Sequence, residues 1–315
     1  MEEGAVSPSG RRQQLLAAYR ESLFPFLKSP AAWLFSTAWL ISVAYLITTG
    51  RMLVFIDSLR YPLIALVFGL LTIALTSQAK SLPPLETHCS RPQLWLQVSI
   101  LALVILFTAY IGIMLHQHIP QAIRQLPVLY PMAIGLYRLF TLPPLLSDSS
   151  VVVIPLLYFV IPFPLLLLLG ARPRELGFAR GYRSWIVALL WSILPLILIA
   201  LNLIGGQASF GQTLLLLYKN IFRNGFFEEF LFRGALMSRL TYLLDANWGL
   251  ALSSLLFGLW HIGLQTSNMN GDWLAGLANC VLMQAVFGLG MALVLRRTCN
   301  LLAPSIYHVL INTAG

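Results

Sequence analysis

The chain has 315 residues, a formal net charge of +9, 58% hydrophobic residues and only 10% charged ones, with a mean hydropathy of +0.80. Soluble domains carry about 25% charged residues, so the composition excludes an ordinary soluble fold and marks a chain that crosses a membrane several times. It also excludes nucleic acid as a partner: Arg and Lys lie between apolar segments, as topology signals do, and form no basic stripe interleaved with aromatics.

The first thirty residues contain Arg11, Arg12, Arg20 and Lys28 but no uninterrupted apolar core. No cleavable leader is expected, and the first span stays as an anchor. Between residues 11 and 28, Leu15, Leu16, Tyr19, Leu23, Phe26 and Leu27 fall near one helical face. That pattern predicts a short helix on the membrane surface, broken by Pro25 and Pro30. Segments 33–49, 61–77 and 94–115 are each near the length of about 20 residues that a crossing needs. Residues 116–150 are apolar but carry Arg124, Arg138 and several prolines, which predicts a re-entrant or interfacial segment. Segments 151–170 and 185–204 cross again. Between them lies Arg172-Pro173-Arg174-Glu175, followed by Arg180 and Arg183, the most basic short loop of the chain. One long helix is expected over 213–244, then spans at 247–263, 273–295 and 301–314.

The expected fold is therefore all-α, a polytopic transmembrane helical bundle of about 8–9 membrane segments. It divides into an N-terminal membrane region, 1–170, of unassigned role and a core over 171–315. A cytoplasmic N-terminus places most basic residues inside, Lys80 and the 172–183 loop among them. Arg51, Arg60, Arg124 and Arg138 are left outside. The expected location is the cell membrane, with several passes. Cys89, Cys280 and Cys299 are too few and scattered for a disulfide framework or a zinc site, and read as small packing residues.

Of eleven acidic residues, only Glu228 and Glu229 lie deep in an apolar stretch. A charge at mid-membrane costs roughly 3 kcal/mol or more on insertion scales, so it needs a partner or a function. Glu229 and Arg233 are four apart and can pair on one helical face. Glu228 projects about 100° away from Glu229 and is free to act as a general base toward water. Phe226, Phe227, Phe230 and Phe232 suit either lipid or core. Two further polar pairs sit in apolar helices downstream: Phe257 with His261, and His308 with Asn312, each at a spacing of four. Each pair alone also fits a packing role, as an ion-pair knot or interhelical glue. Taken together, a Glu pair, two His and an Asn supply a base, an orienting imidazole and oxyanion donors. Those parts suit amide hydrolysis.

In order and spacing, Glu228-Glu229-x-x-x-Arg233, Phe257-x-x-x-His261 and His308-x-x-x-Asn312 resemble the signature of the CPBP intramembrane proteases. That family holds the Rce1-type CAAX prenyl endopeptidases and the bacterial bacteriocin-processing and immunity proteins. The resemblance covers roughly residues 172–315. It implies that Glu228 and His261 activate water, that Glu229 supports them with Arg233 as a structural ion-pair brace, and that His308 and Asn312 stabilise the oxyanion. The implied partners are the membrane lipid bilayer and a protein or peptide substrate held there, prenylated or carrying a leader. No metal ligand is assigned and the cofactor is unknown. The chain has no His-Glu-x-x-His zinc pattern, although a Glu/His/His set has the chemistry to hold zinc. A non-catalytic membrane partner or immunity protein, and a transporter, are the alternatives. A transporter is disfavoured because the sequence has no repeat or inverted symmetry.

Overall fold

The computed structural model describes residues 8–78, 87–140 and 149–315. Lys80 and residues 141–148 of the expected interfacial segment lie outside the described residues. Among those residues the regular elements are all helical, with one isolated antiparallel bridge between Phe178 and Asn300. The helical membrane bundle expected from composition is what forms.

The N-terminal part contains α1 (Pro8–Leu27), α2 (Pro30–Thr48), α3 (Met52–Leu75), α4 (Arg91–Met114), α5 (Leu129–Leu139) and α6 (Ser150–Leu168). The C-terminal part contains α7 (Ser184–Ile204), α8 (Phe210–Arg223), α9 (225–243), α10 (Ala246–Trp260), α11 (Ile262–Asn268), α12 (Trp273–Thr298) and α13 (Leu302–Ala314). Among the described residues six helices, α2, α3, α4, α6, α7 and α12, are long and apolar enough to cross a membrane. With 11 residues, α5 spans only about 17 Å, roughly half the hydrocarbon thickness. That suits the interfacial role expected there.

Three helix boundaries differ from the sequence expectation. Pro25 lies inside the last turn of α1 and does not end it, because a missing N–H so near the terminus removes only one intrahelical bond. The chain turns at Ser29 instead, whose side chain accepts from the Ala32 amide at 3.2 Å while Pro30 opens α2. The single helix expected over 213–244 is two helices, parted at Asn224 (φ −127°, ψ −109°). Gly225 follows at φ +20°, and a Cβ there would sit 2.1 Å from Val309 Cγ2 of α13. Close passage of the last helix sets this break, and hydrophobic periodicity does not report it. The third difference is at His261, where the span expected over 247–263 ends and α11 begins.

Helix α9 is α-helical over Gly225–Glu229, widens to π geometry over Phe230–Met237 and closes again over Ser238–Leu243. Such widened turns are rare and cluster at functional sites. Phe230, Leu231, Phe232 and Leu236 of this helix are fully buried. Phe226 and Phe227 are half-buried and meet Phe159 edge-on at 5.3 and 6.1 Å. The four phenylalanines thus belong to the core and its edge. Trp260 Nε1 of α10 donates to Thr108 Oγ1 of α4 at 2.9 Å, tying the N-terminal helices to the core. All three cysteines are free, as expected of packing residues.

The basic 172–183 loop conceals a buried ion pair that the sequence did not suggest. Arg239, fully buried at the end of α9, donates to Glu175 Oε2 at 3.1 Å and to Gln97 Oε1 at 2.9 Å. The loop is thereby fastened to the glutamate helix and to α4.

Candidate active site

The break at Asn224 starts α9 so that its first turn carries Glu228 and Glu229 into the bundle. Both are buried, as are Arg233 and His308. Glu229 turns toward Arg233, whose Nε lies 3.3 Å from Oε2. The guanidinium makes no aligned hydrogen bond. It is held by charge and by stacking on Phe257, with its carbon 4.0 Å from the ring centroid. The other oxygen of Glu229 accepts from His308 Nδ1 at 2.8 Å.

A carboxylate only accepts, so His308 carries its hydrogen on Nδ1. Its Nε2 lies 3.7 Å from Glu228 Oε2, beyond hydrogen-bond length but within ion-pair reach. His308 therefore sits between the two glutamates. The resemblance paired Glu228 with His261 for activating water, whereas the imidazole within ion-pair reach of Glu228 is that of His308. Glu228 Oε1 meets the Asn224 side chain. With the Asn224 nitrogen turned to the carboxylate, it donates to Oε1 at 3.2 Å and its oxygen accepts from Asn312 Nδ2 at 3.2 Å. That amide orientation is set by the hydrogen-bond network.

His261, at the α10–α11 kink, places Nδ1 2.9 Å from the Phe257 carbonyl. A carbonyl has no hydrogen to give, so Nδ1 is the donor and Nε2 keeps its lone pair. Glu228, His261, His308 and Asn312 all line one cavity of about 740 Å³, with Asn224 and Tyr158. Glu229 and Arg233 stand behind this wall. The cavity is also lined by apolar residues of α4, α6 and α7, among them Ile111, Leu157 and Leu194. Its volume falls within the about 300–1,000 Å³ usual for ligand sites.

The six residues expected from sequence thus form one connected group, four on the cavity and two behind it. Sequence reasoning missed Asn224 and Tyr158. Asn224 lies four residues before Glu228, so its position on the same face was readable. Tyr158 lies in an apolar span with no motif around it and left no signal.

A catalytic zinc normally has three protein ligands. Among the described residues no group of three or more His, Cys, Asp and Glu is gathered to hold a metal ion. Glu229 is committed to Arg233 and His308, and His261 Nδ1 to a carbonyl.

Residues 209–314 match the model of a family described as type II CAAX prenyl endopeptidase Rce1-like. This C-terminal third of the chain is thus similar to the Rce1-like family. No curated protein and no solved structure matches the chain. The Rce1-like segment holds Asn224, both glutamates, Arg233, both histidines and Asn312. Tyr158 lies outside it. The match supports a CAAX-type protease in general terms, and the apolar helices support a multi-pass membrane protein.

Proposed function

We propose that the chain is an intramembrane endopeptidase in which Glu228 activates water to cleave a peptide bond of a membrane-associated substrate, prenylated or carrying a leader peptide. The observation that carries this reading is the setting of Glu228. It lines the cavity, held between Asn224 and His308, while Glu229 and Arg233 offset one another behind it.

Charge accounting supports the roles. Glu229 and Arg233 cancel, which leaves Glu228 as the uncompensated anion of the group. An imidazolium at His308 brings the sum to zero, as a buried site requires. Glu228 then takes a proton from water as the oxygen attacks the scissile carbonyl carbon. The carbonyl electron pair moves to its oxygen, where His308 Nε2–H and Asn312 meet the negative charge. The lone pair on His261 Nε2 orients the attacking water. Collapse of the intermediate expels the amine, which takes the proton back from Glu228. No step passes through a metal. Residues 171–315 act as the protease core, and the N-terminal region supplies the far wall of the cavity. The N-terminus lies in the cytoplasm and the membrane is the cell membrane, as the distribution of Arg and Lys supports.

The test is cleavage by the purified protein in detergent of peptides anchored in the same micelles, with products read by mass spectrometry. Wild-type protein cleaves, and Glu228→Ala does not, although it unfolds at the same temperature. Equal cleavage by the two proteins overturns the assignment.

A further inference from the structure

The donors available to the oxyanion are fewer than the residue list suggests. His308 gives one N–H to Glu229, and its Nε2 faces Glu228. Asn312 spends an amide hydrogen on Asn224. The lone pair of His261 Nε2 accepts and does not donate. That leaves the second Asn312 amide hydrogen and a His308 Nε2–H shared with Glu228, so a further unshared donor would strengthen the oxyanion site.

Tyr158 offers such a donor. It belongs to a π-helical turn, Leu156–Val160, bracketed by Pro155 and Pro162. The residue is only 6% exposed, yet it lines the cavity that Glu228 lines. Its hydroxyl makes no hydrogen bond to another described residue and is not sealed in the packing, so it opens onto the cavity. Glu228, Tyr137 and Arg223 are the titratable groups within electrostatic reach of the phenol. The ring is fixed edge-on against Trp260, centroids 5.5 Å apart, and Trp260 is itself fastened to Thr108. A buried phenol normally finds a hydrogen-bond partner. One so rigidly held, with none among the described residues, is arranged for a partner that arrives with the substrate.

We infer that the Tyr158 hydroxyl is a catalytic hydrogen-bond donor to the oxyanion, supplied from outside the Rce1-like segment. This rests on the endopeptidase reading. No bond to Tyr158 forms or breaks. As the carbonyl oxygen gains its electron pair, the phenol donates a hydrogen bond to it and keeps its proton, and the water proton goes to Glu228 as before.

The experiment compares wild type, Glu228→Ala and Tyr158→Phe in the same detergent assay. Removing one oxyanion donor costs about 100-fold in kcat, so Tyr158→Phe loses about that much while KM stays within twofold. A phosphinate peptide analogue, which carries the tetrahedral oxygen, binds Tyr158→Phe more weakly by a similar factor. A cleavage-resistant ground-state analogue binds both proteins equally. A packing role would weaken both analogues alike, and that result overturns the inference. So does a kcat within threefold of wild type when Glu228→Ala is inactive. If Glu228→Ala cleaves as well as wild type, the endopeptidase reading falls first and the inference with it. Should Tyr158→Phe not fold, a difluorotyrosine at position 158 keeps the ring packing and acidifies the phenol. The alkaline fall of kcat then moves to lower pH, and an unmoved profile overturns the inference.

Discussion

Arg239→Ala removes a fully buried guanidinium that bonds Glu175 Oε2 at 3.1 Å and Gln97 Oε1 at 2.9 Å. Glu175 is then left with two long contacts to Oε2, the Thr87 hydroxyl and the Arg172 amide, each at 3.4 Å. Its Oε1 already has no hydrogen-bond partner. A buried carboxylate stripped of its cation costs about 3–5 kcal/mol, more than the net worth of the intact pair. The two effects separate in a double-mutant cycle. Arg239→Ala destabilises by about 3–5 kcal/mol, and Glu175→Ala also destabilises, because it strands the guanidinium. The double variant falls short of their sum by about 2–3 kcal/mol. The assay is reversible unfolding in mixed micelles, with the four proteins at one pH and salt. An Arg239→Ala cost below about 1 kcal/mol, with additive single effects, would refute the reasoning, since a solvated pair behaves that way.

Other perturbations probe the site and its frame. Gly225→Ala drives a Cβ into Val309 Cγ2 and destabilises by about 1–3 kcal/mol, and Val309→Ala restores part of the loss; thermal melts of the single and double variants check this. Asn224→Ala removes a hydrogen bond to the Glu228 carboxylate and lowers kcat by about 10–100-fold with KM unchanged, as steady-state kinetics would read. Asp272 caps α12 through the Leu274 and Ala275 amides and pairs with Arg51 at 2.6 Å. The Ala275 amide, then the Arg51 charge, holds its pKa below the ordinary carboxylate value. Its stabilisation is complete above the unfolded pKa of about 3.9 and is lost as pH falls through the depressed native value. Asp272→Asn therefore flattens the stability profile below pH about 4, and an unchanged profile would count against this capping role.

The spans were legible because a bilayer demands long apolar runs, and α2, α4, α6 and α7 lie within a few residues of their expected ends. The candidate group was legible for the same reason: two glutamates, two histidines and an asparagine stand out against an apolar background. What escaped notice depends on tertiary approach. The break at Asn224–Gly225 exists because α13 passes there, and no periodicity encodes a neighbouring helix. Glu175 lay among arginines in a loop and read as a topology signal, whereas its real partner, Arg239, is 64 residues away. Tyr158 sat in a span like any other aromatic, and only the cavity distinguishes it.

Isotope tracing of a single turnover addresses the chemistry at Glu228 most directly. Enzyme in excess cleaves peptide in water enriched in oxygen-18, and both the peptide product and Glu228 are analysed by mass spectrometry. Attack by water activated at Glu228 places one heavy oxygen in the new carboxyl terminus and none in the glutamate. Heavy oxygen in the Glu228 carboxyl, with an unlabelled product, would mean that the side chain attacks the substrate itself, and the general-base role would be wrong.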